Sequence, residues 1–264
     1  MQLGLSGRLI EARGGYTLPL DDFLQWARDL GFDGVEIRYP QLPLETPAEQ
    51  QDHVAARLRA LGLTWVFGTV EGIVGEDALA RAVGMMNLHS RCGCRFTRFS
   101  VSQPEHIVWA RRFADEAARL GRRLIMQLHN GTLADTVPRA LETLQLIDRA
   151  NVGVAYEPCH LRFAGCEAYT DGVRELGDRL FCVSLQNYKA AAPGDSPESR
   201  VMVNGQPYVR AWPGDPAGID FGAVIRTLRA AGFDGFATVM ADAAPGQDRE
   251  ALARRYLEVC RAGR

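Results

Sequence analysis

The chain has 264 residues, with 30 Lys and Arg against 32 Asp and Glu, a formal charge of −2 and 47% hydrophobic residues. That is enough apolar content for a large core and too even a charge to favour nucleic acid or an anionic membrane as a partner. No run approaches the roughly 18 apolar residues of a membrane span, and the N-terminus lacks a signal peptide's basic start and long apolar stretch, so a cytoplasmic protein is expected.

Short β-rich runs and helical patterns alternate along the whole chain. Strand 3–6 precedes helix 22–30, strand 34–38 precedes helix 48–61, strand 64–70 precedes helix 78–88, and strand 96–101 precedes helix 106–120. Strand 124–128 leads to an apolar stripe at Val137, Ala140, Leu141, Leu144 and Ile147, the spacing of one helix face. Strand 152–156 is followed by a weak helical pattern over 167–176, strand 180–185 by helix 221–230, and strand 236–240 by helix 249–260.

Two junctions nearly repeat: Asp22-Phe23 leads to Gly31-Phe32-Asp33-Gly34, and Asp220-Phe221 leads to Gly232-Phe233-Asp234-Gly235. Glycine suits the left-handed end of a helix, and Asp-Gly turns the chain into the next strand. Eight such units predict a single (β/α)8 barrel over 1–264, with its first strand beside its last. An open doubly wound sheet is the alternative, although no G-x-G-x-x-G or G-x-x-x-x-G-K-[ST] motif accompanies it.

The connection after strand seven breaks the rhythm, with five prolines (Pro193, Pro197, Pro207, Pro213, Pro216) and four glycines (Gly194, Gly205, Gly214, Gly218). Residues 189–218 are expected to form a lid loop or hairpin turning at Asn204-Gly205, with Tyr208, Arg210 or Trp212 reaching toward the site. A merely tolerated insertion is the alternative.

In a barrel, chemistry collects where strands end. Those positions hold Glu36 and Arg38, Glu71, Ser100 and Ser102, Gln127 and His129, Glu157 and His160, Ser184 with Gln186 and Asn187, and Met240 with Asp242. Glu157 and His160 share one loop mouth, although an isolated pair of this kind also fits a histidine bonded to backbone beside a solvated glutamate. The six cysteines, Cys92, Cys94, Cys159, Cys166, Cys182 and Cys260, show no Cys-x-x-Cys pairing and read as reduced and mostly buried. Cys159 is a nucleophile only if it escapes the commoner role of core thiol.

The run from Met126 to Thr136 (MQLHNGTLADT), the run from Asn151 to His160 (NVGVAYEPCH) and the closing Gly232-Phe233-Asp234-Gly235 resemble the xylose isomerase-like TIM-barrel superfamily, which includes sugar isomerases and epimerases. The resemblance implies an eight-stranded barrel with a divalent ion at its C-terminal mouth, usually Mn²⁺, Mg²⁺, Co²⁺ or Zn²⁺. The family holds that ion with Glu, Asp, His and Glu on strands five to eight; the matching positions here are Gln127, Glu157, Ser184 and Met240. Only Glu157 keeps a carboxylate, so no metal and no other cofactor are expected.

Two function classes follow. One is an isomerase- or epimerase-like enzyme acting on a small carbohydrate or hydroxy-keto compound without metal, with Glu157 and His160 as the acid/base pair. Gln127, His129, Ser184, Asn187, Arg210, Trp212 and Glu36 would then bind substrate. The other is a non-catalytic descendant that binds a sugar, polyol or protein partner at the same mouth. A homo-oligomer is compatible with either.

Overall fold

Eight parallel strands run β1 (Gln2–Ser6), β2 (Gly34–Glu36), β3 (Thr64–Thr69), β4 (Phe96–Phe99), β5 (Arg123–Gln127), β6 (Val152–Tyr156), β7 (Leu180–Leu185) and β8 (Phe236–Val239). They close into a barrel in which β1 lies between β8 and β2, with Leu3 opposite Ala237 and Leu5 opposite Val35. The computed structural model describes residues 1–166, 168–196, 200–244 and 246–263. Glu167, where the sixth helix is expected to start, lies outside the described residues, as do Pro197 and its two successors in the loop 189–218, Pro245 and Arg264.

The repeated Gly-Phe-Asp-Gly junctions have related tasks at the closure. Gly31 (φ 93) and Gly232 (φ 76) take the left-handed conformation that ends each helix, which only glycine adopts without strain. Asp33 then accepts the backbone N–H of Leu3 at 2.9 Å, and Asp234 accepts the N-terminal amine at 2.5 Å. Both repeats therefore hold the start of β1 in the seam.

The helices are α1 (Leu20–Leu30), α2 (Ala48–Leu61), α3 (Glu76–Arg91), α4 (Ile107–Arg119), α5 (Val137–Ile147), α6 (Pro158–Phe163), α7 (Val173–Leu176), α8 (Phe221–Ala230) and α9 (Arg249–Ala262). Their apolar stripes pack on the outward strand faces and form the main core. Strand alternation sends the other side chains inward, where Val66, Phe67, Phe96, Ile125, Ala155, Phe181, Cys182, Phe236 and Met240 form a separate inner cluster.

The predicted helix 167–176 is corrected: after β6 the chain makes two short helices. Pro158 supplies the fixed φ that suits a first helical position, so α6 begins at once, and α7 covers only Val173–Leu176 after Gly172 (φ 86). The excursion after β7 holds a three-stranded antiparallel sheet of Tyr188–Ala190, Val201–Val203 and Gln206–Arg210. Its hairpin turns at Asn204 (φ 50) and Gly205 (φ 76), the paired left-handed residues of a type I′ turn. The sheet rests on α6, with the Tyr208 and Tyr188 rings 4.6 and 5.5 Å from that of Phe163. None of the six cysteines is in a disulfide, and five are buried while Cys166 is partly exposed. Among the described residues no helix is long and apolar enough to cross a membrane.

Candidate active site

Glu157 owes its position to the end of a strand. Tyr156 packs in the outer core and Ala155 in the inner cluster, so the alternation turns Glu157 inward, and Pro158 keeps its backbone extended at φ −134. The carboxylate is 1% exposed. Oε2 accepts a hydrogen bond from the Gln127 amide at the end of β5, and Oε1 lies 3.5 Å from His160 Nε2. Burial pushes the Glu157 pKa up, against the opposing pull of the Gln127 hydrogen bond and of the Arg98 charge.

His160 sits on α6, one turn along from Glu157. Its Nδ1 is 2.5 Å from Asn130 Oδ1, and an amide oxygen only accepts, so Nδ1 carries the proton and the Nε2 lone pair faces Glu157. Burial, reinforced by Arg8 and Arg98, pushes the His160 pKa down to about 3, which makes the ring neutral at neutral pH. The His129 ring lies 3.9 Å away at 34°, and its Nδ1–H donates to the Asn130 carbonyl at 2.7 Å. Burial and the neighbouring His160 lower the His129 pKa too. Asn130 thus sets both tautomers, one through its side chain and one through its backbone.

Glu36 is fully buried at the end of β2, accepts the Ser6 hydroxyl, and lies 3.5 Å from Arg38. On β4, Phe96 belongs to the inner cluster and Phe99 to the outer core, so Arg98 faces inward, 7% exposed and 5.1 Å over the Phe67 ring. Across the mouth, burial pushes the Asp242 pKa up, but hydrogen bonding to Arg210 and the Arg8 charge outweigh it and hold the carboxyl below its usual range. Arg8 is 3.7 Å away, and Tyr188 donates to Asp242 at 3.2 Å.

Some expected ligand-binding side chains are placed otherwise. Trp212 is 44% exposed in a groove against Arg254, Arg255 and Glu258 of α9, so it does not reach the mouth. Asn187 spends both ends of its amide on the loop, donating to the Trp212 carbonyl at 2.9 Å and accepting from the Ile219 N–H at 2.7 Å. Arg210 does reach the mouth, where it pairs with Asp242, whereas Tyr208 packs on Phe163. Replacing Asn187 by Ala should cost about 1–3 kcal/mol through the two lost partners. It should also speed proteolytic cleavage within 188–218 before the barrel unfolds; cleavage no faster than in the wild type would remove the pin.

Gln127, His129, Glu157 and His160 are brought together. Ser184 lines the same interior from β7, fully buried, its hydroxyl without a hydrogen-bond partner, as is that of Thr238 opposite it on β8. Arg98, Asn130 and Arg8 were absent from the sequence-based candidates. A charge in a β-rich run, as in Phe96-Thr97-Arg98-Phe99, is a usable signal only once the inward face is known.

The residues do not suit a divalent ion. Gln127, Glu157, Ser184 and Met240 stand at the ends of β5, β6, β7 and β8, but Glu157 is already bonded to Gln127 and Met240 is 2% exposed in the apolar inner cluster. The Arg98 charge acts on the same Glu157, where an added cation would be repelled. Among the described residues no three His, Cys, Asp or Glu side chains group to hold a metal ion. A cleft of about 550 Å³ at the opposite end of the barrel, lined by Arg95, Arg123, Arg174 and Phe181, holds no histidine–carboxylate pair.

No curated protein sequence matches the chain. Solved structures share its fold at low identity. The probable 3-DHS dehydratase AsbF of Bacillus anthracis is 17% identical over 98% of both chains, with a TM-score of 0.78. A D-psicose 3-epimerase solved in the presence of D-fructose is 14% identical over 99% of both, with a TM-score of 0.76. The IOLI protein with a bound zinc atom is 18% identical over 100% of this chain and 96% of that one, with a TM-score of 0.73. The sequence model of one family, described as the xylose isomerase-like TIM barrel, matches residues 24–262, nearly the whole of the closed barrel, and this chain belongs to that family.

Proposed function

We propose that this protein is an isomerase- or epimerase-like enzyme that moves a proton on the carbon next to a carbonyl in a small sugar or hydroxy-keto compound, with no resident metal. One observation carries the reading: a buried Glu157 with a raised pKa, held between Gln127 and a neutral His160 of set tautomer. A carboxylate whose pKa is lifted toward the working pH is a better base than an exposed one. Glu157 takes the proton; the resulting carboxylic acid donates to Nε2 of His160, the free acceptor of that ring. Ser184, Thr238 and His129 offer hydrogen bonds to substrate hydroxyls. The dehydratase and the epimerase among the structural neighbours support this class of chemistry.

The test is proton exchange in D₂O, followed by NMR after chelator treatment, over ketoses including D-fructose, aldoses and hydroxy-keto acids. Exchange beside the carbonyl that survives the chelator is expected. Exchange seen only after adding Mn²⁺, Co²⁺, Zn²⁺ or Mg²⁺ would refute the metal-free reading. Silence across the panel would favour a sugar- or polyol-binding descendant instead.

A further inference from the structure

Barrel interiors are ordinarily filled by branched apolar side chains, and this one holds an arginine. Arg98 is 7% exposed, and among the described residues its guanidinium makes no hydrogen bond; Nη1 is wholly buried and unpartnered. Beyond the Phe67 ring under the guanidinium, the compensation is Coulombic, from Glu36 and Glu157, and neither carboxylate forms an ion pair with it. A buried charge left without hydrogen bonds is destabilising, because nothing replaces the water it has lost. Stability gives no reason to keep it.

Among the described residues, other buried hydroxyls of the inward-facing side chains also lack hydrogen-bond partners: Thr69 Oγ1, Ser184 Oγ and Thr238 Oγ1. Thr69 pairs with Arg98 across β3 and β4, and Ser184 with Thr238 across β7 and β8. Hydroxyls and a guanidinium left without hydrogen bonds are groups that can bond the oxygens of a small polyhydroxylated molecule. The Arg98 charge also acts on Glu157, His129 and His160, which sets it among the groups already assigned to proton transfer.

We propose that Arg98 is the built-in cation of this site, its guanidinium receiving the substrate oxygen that becomes anionic when Glu157 removes the adjacent proton. This rests on the proton-transfer reading above and supplies the positive charge that Gln127, Ser184 and Met240 no longer recruit through a metal. The carboxylate of Glu157 takes the proton, the C–H bonding pair becomes the C=C bond, and the carbonyl π pair moves onto oxygen as an enediolate. Arg98 keeps all its protons throughout, because guanidinium does not ionise in this range, and its planar fork suits two neighbouring oxygens. Return of the proton from Glu157 to the neighbouring carbon on the same face, with the hydroxyl proton passing from its own oxygen to the enediolate oxygen, closes an isomerase cycle.

Glycolohydroxamate, a planar analogue of such an enediolate, tests the assignment without turnover. Calorimetry on the chelator-treated full chain should show it binding to the wild type. Removing the charged donors should weaken binding about 100-fold in Arg98→Met and about 10-fold in Arg98→Lys, which keeps the charge and loses the fork. Circular dichroism and thermal melts establish that each variant is folded; if Arg98→Met is not, Arg98→Lys decides alone. Unchanged affinity in a folded variant, absence of wild-type binding, or binding that requires added metal would each overturn the proposal. Glu157→Gln separates the two ideas: it should slow exchange about 10²–10⁴-fold while still binding glycolohydroxamate. Exchange at the wild-type rate in that variant would sink Glu157 as the base and leave the Arg98 binding result standing.

Discussion

Glu157→Gln should lower the rate of exchange beside the carbonyl by about 10²–10⁴-fold, the usual contribution of a general base. The amide is nearly isosteric, so loss of rate with an intact fold points to the proton and not to shape. In the wild type, burial raises the Glu157 pKa, so the acid limb of kcat/KM should lie above the ~4.3 of an exposed glutamate. His160, pushed down to about 3, should add no limb near 6.5. A rate that falls below pH 6.5 in the wild type but not in His160→Asn would make the histidine the titrating group.

The same two groups act on stability with opposite sign. His160 has a folded pKa of about 3, below its unfolded value, so its contribution is complete above ~6.5 and is lost as pH falls toward 3. Glu157 is raised, so its contribution is complete below ~4.3 and is lost as pH rises through its folded pKa. Urea unfolding across pH 4 to 9 should therefore show Glu157→Gln gaining on the wild type toward high pH. His160→Asn should lose less stability than the wild type on acidification. Parallel curves for all three proteins would mean that neither group is perturbed by burial.

Phe236→Ala should be among the most destabilising single changes, at about 3–5 kcal/mol. The ring is 1% exposed on the inward face of β8, in the cluster that includes Phe96 and Phe181, themselves stacked at 5.7 Å. Removing it opens a cavity that closed strands cannot collapse around. At roughly 2–4 °C per kcal/mol for a domain of this size, Tm should fall by about 10 °C. A change of under 1 kcal/mol would show that the barrel interior repacks freely.

Strand and helix order was legible in the sequence because hydrophobic period and turn chemistry are local. The Gly-Phe-Asp-Gly repeats marked both flanks of the closing seam, and Asn204-Gly205 marked its hairpin, because positive φ at adjacent residues demands those side chains. Glu157 and His160 were legible as neighbours because they lie three residues apart at a strand end. The partners that give them their chemistry were not: Arg98 and Asn130 approach from other strands and loops, and one residue's shift in strand register would have turned Arg98 outward. Trp212 and Asn187 show the converse. Their residue types suit a sugar, yet packing placed one against α9 and used the other to hold a loop. Local sequence determined which segments form and where the chain turns; only closure of the barrel, which fixes inward faces across strands distant in sequence, decided which charges share the interior.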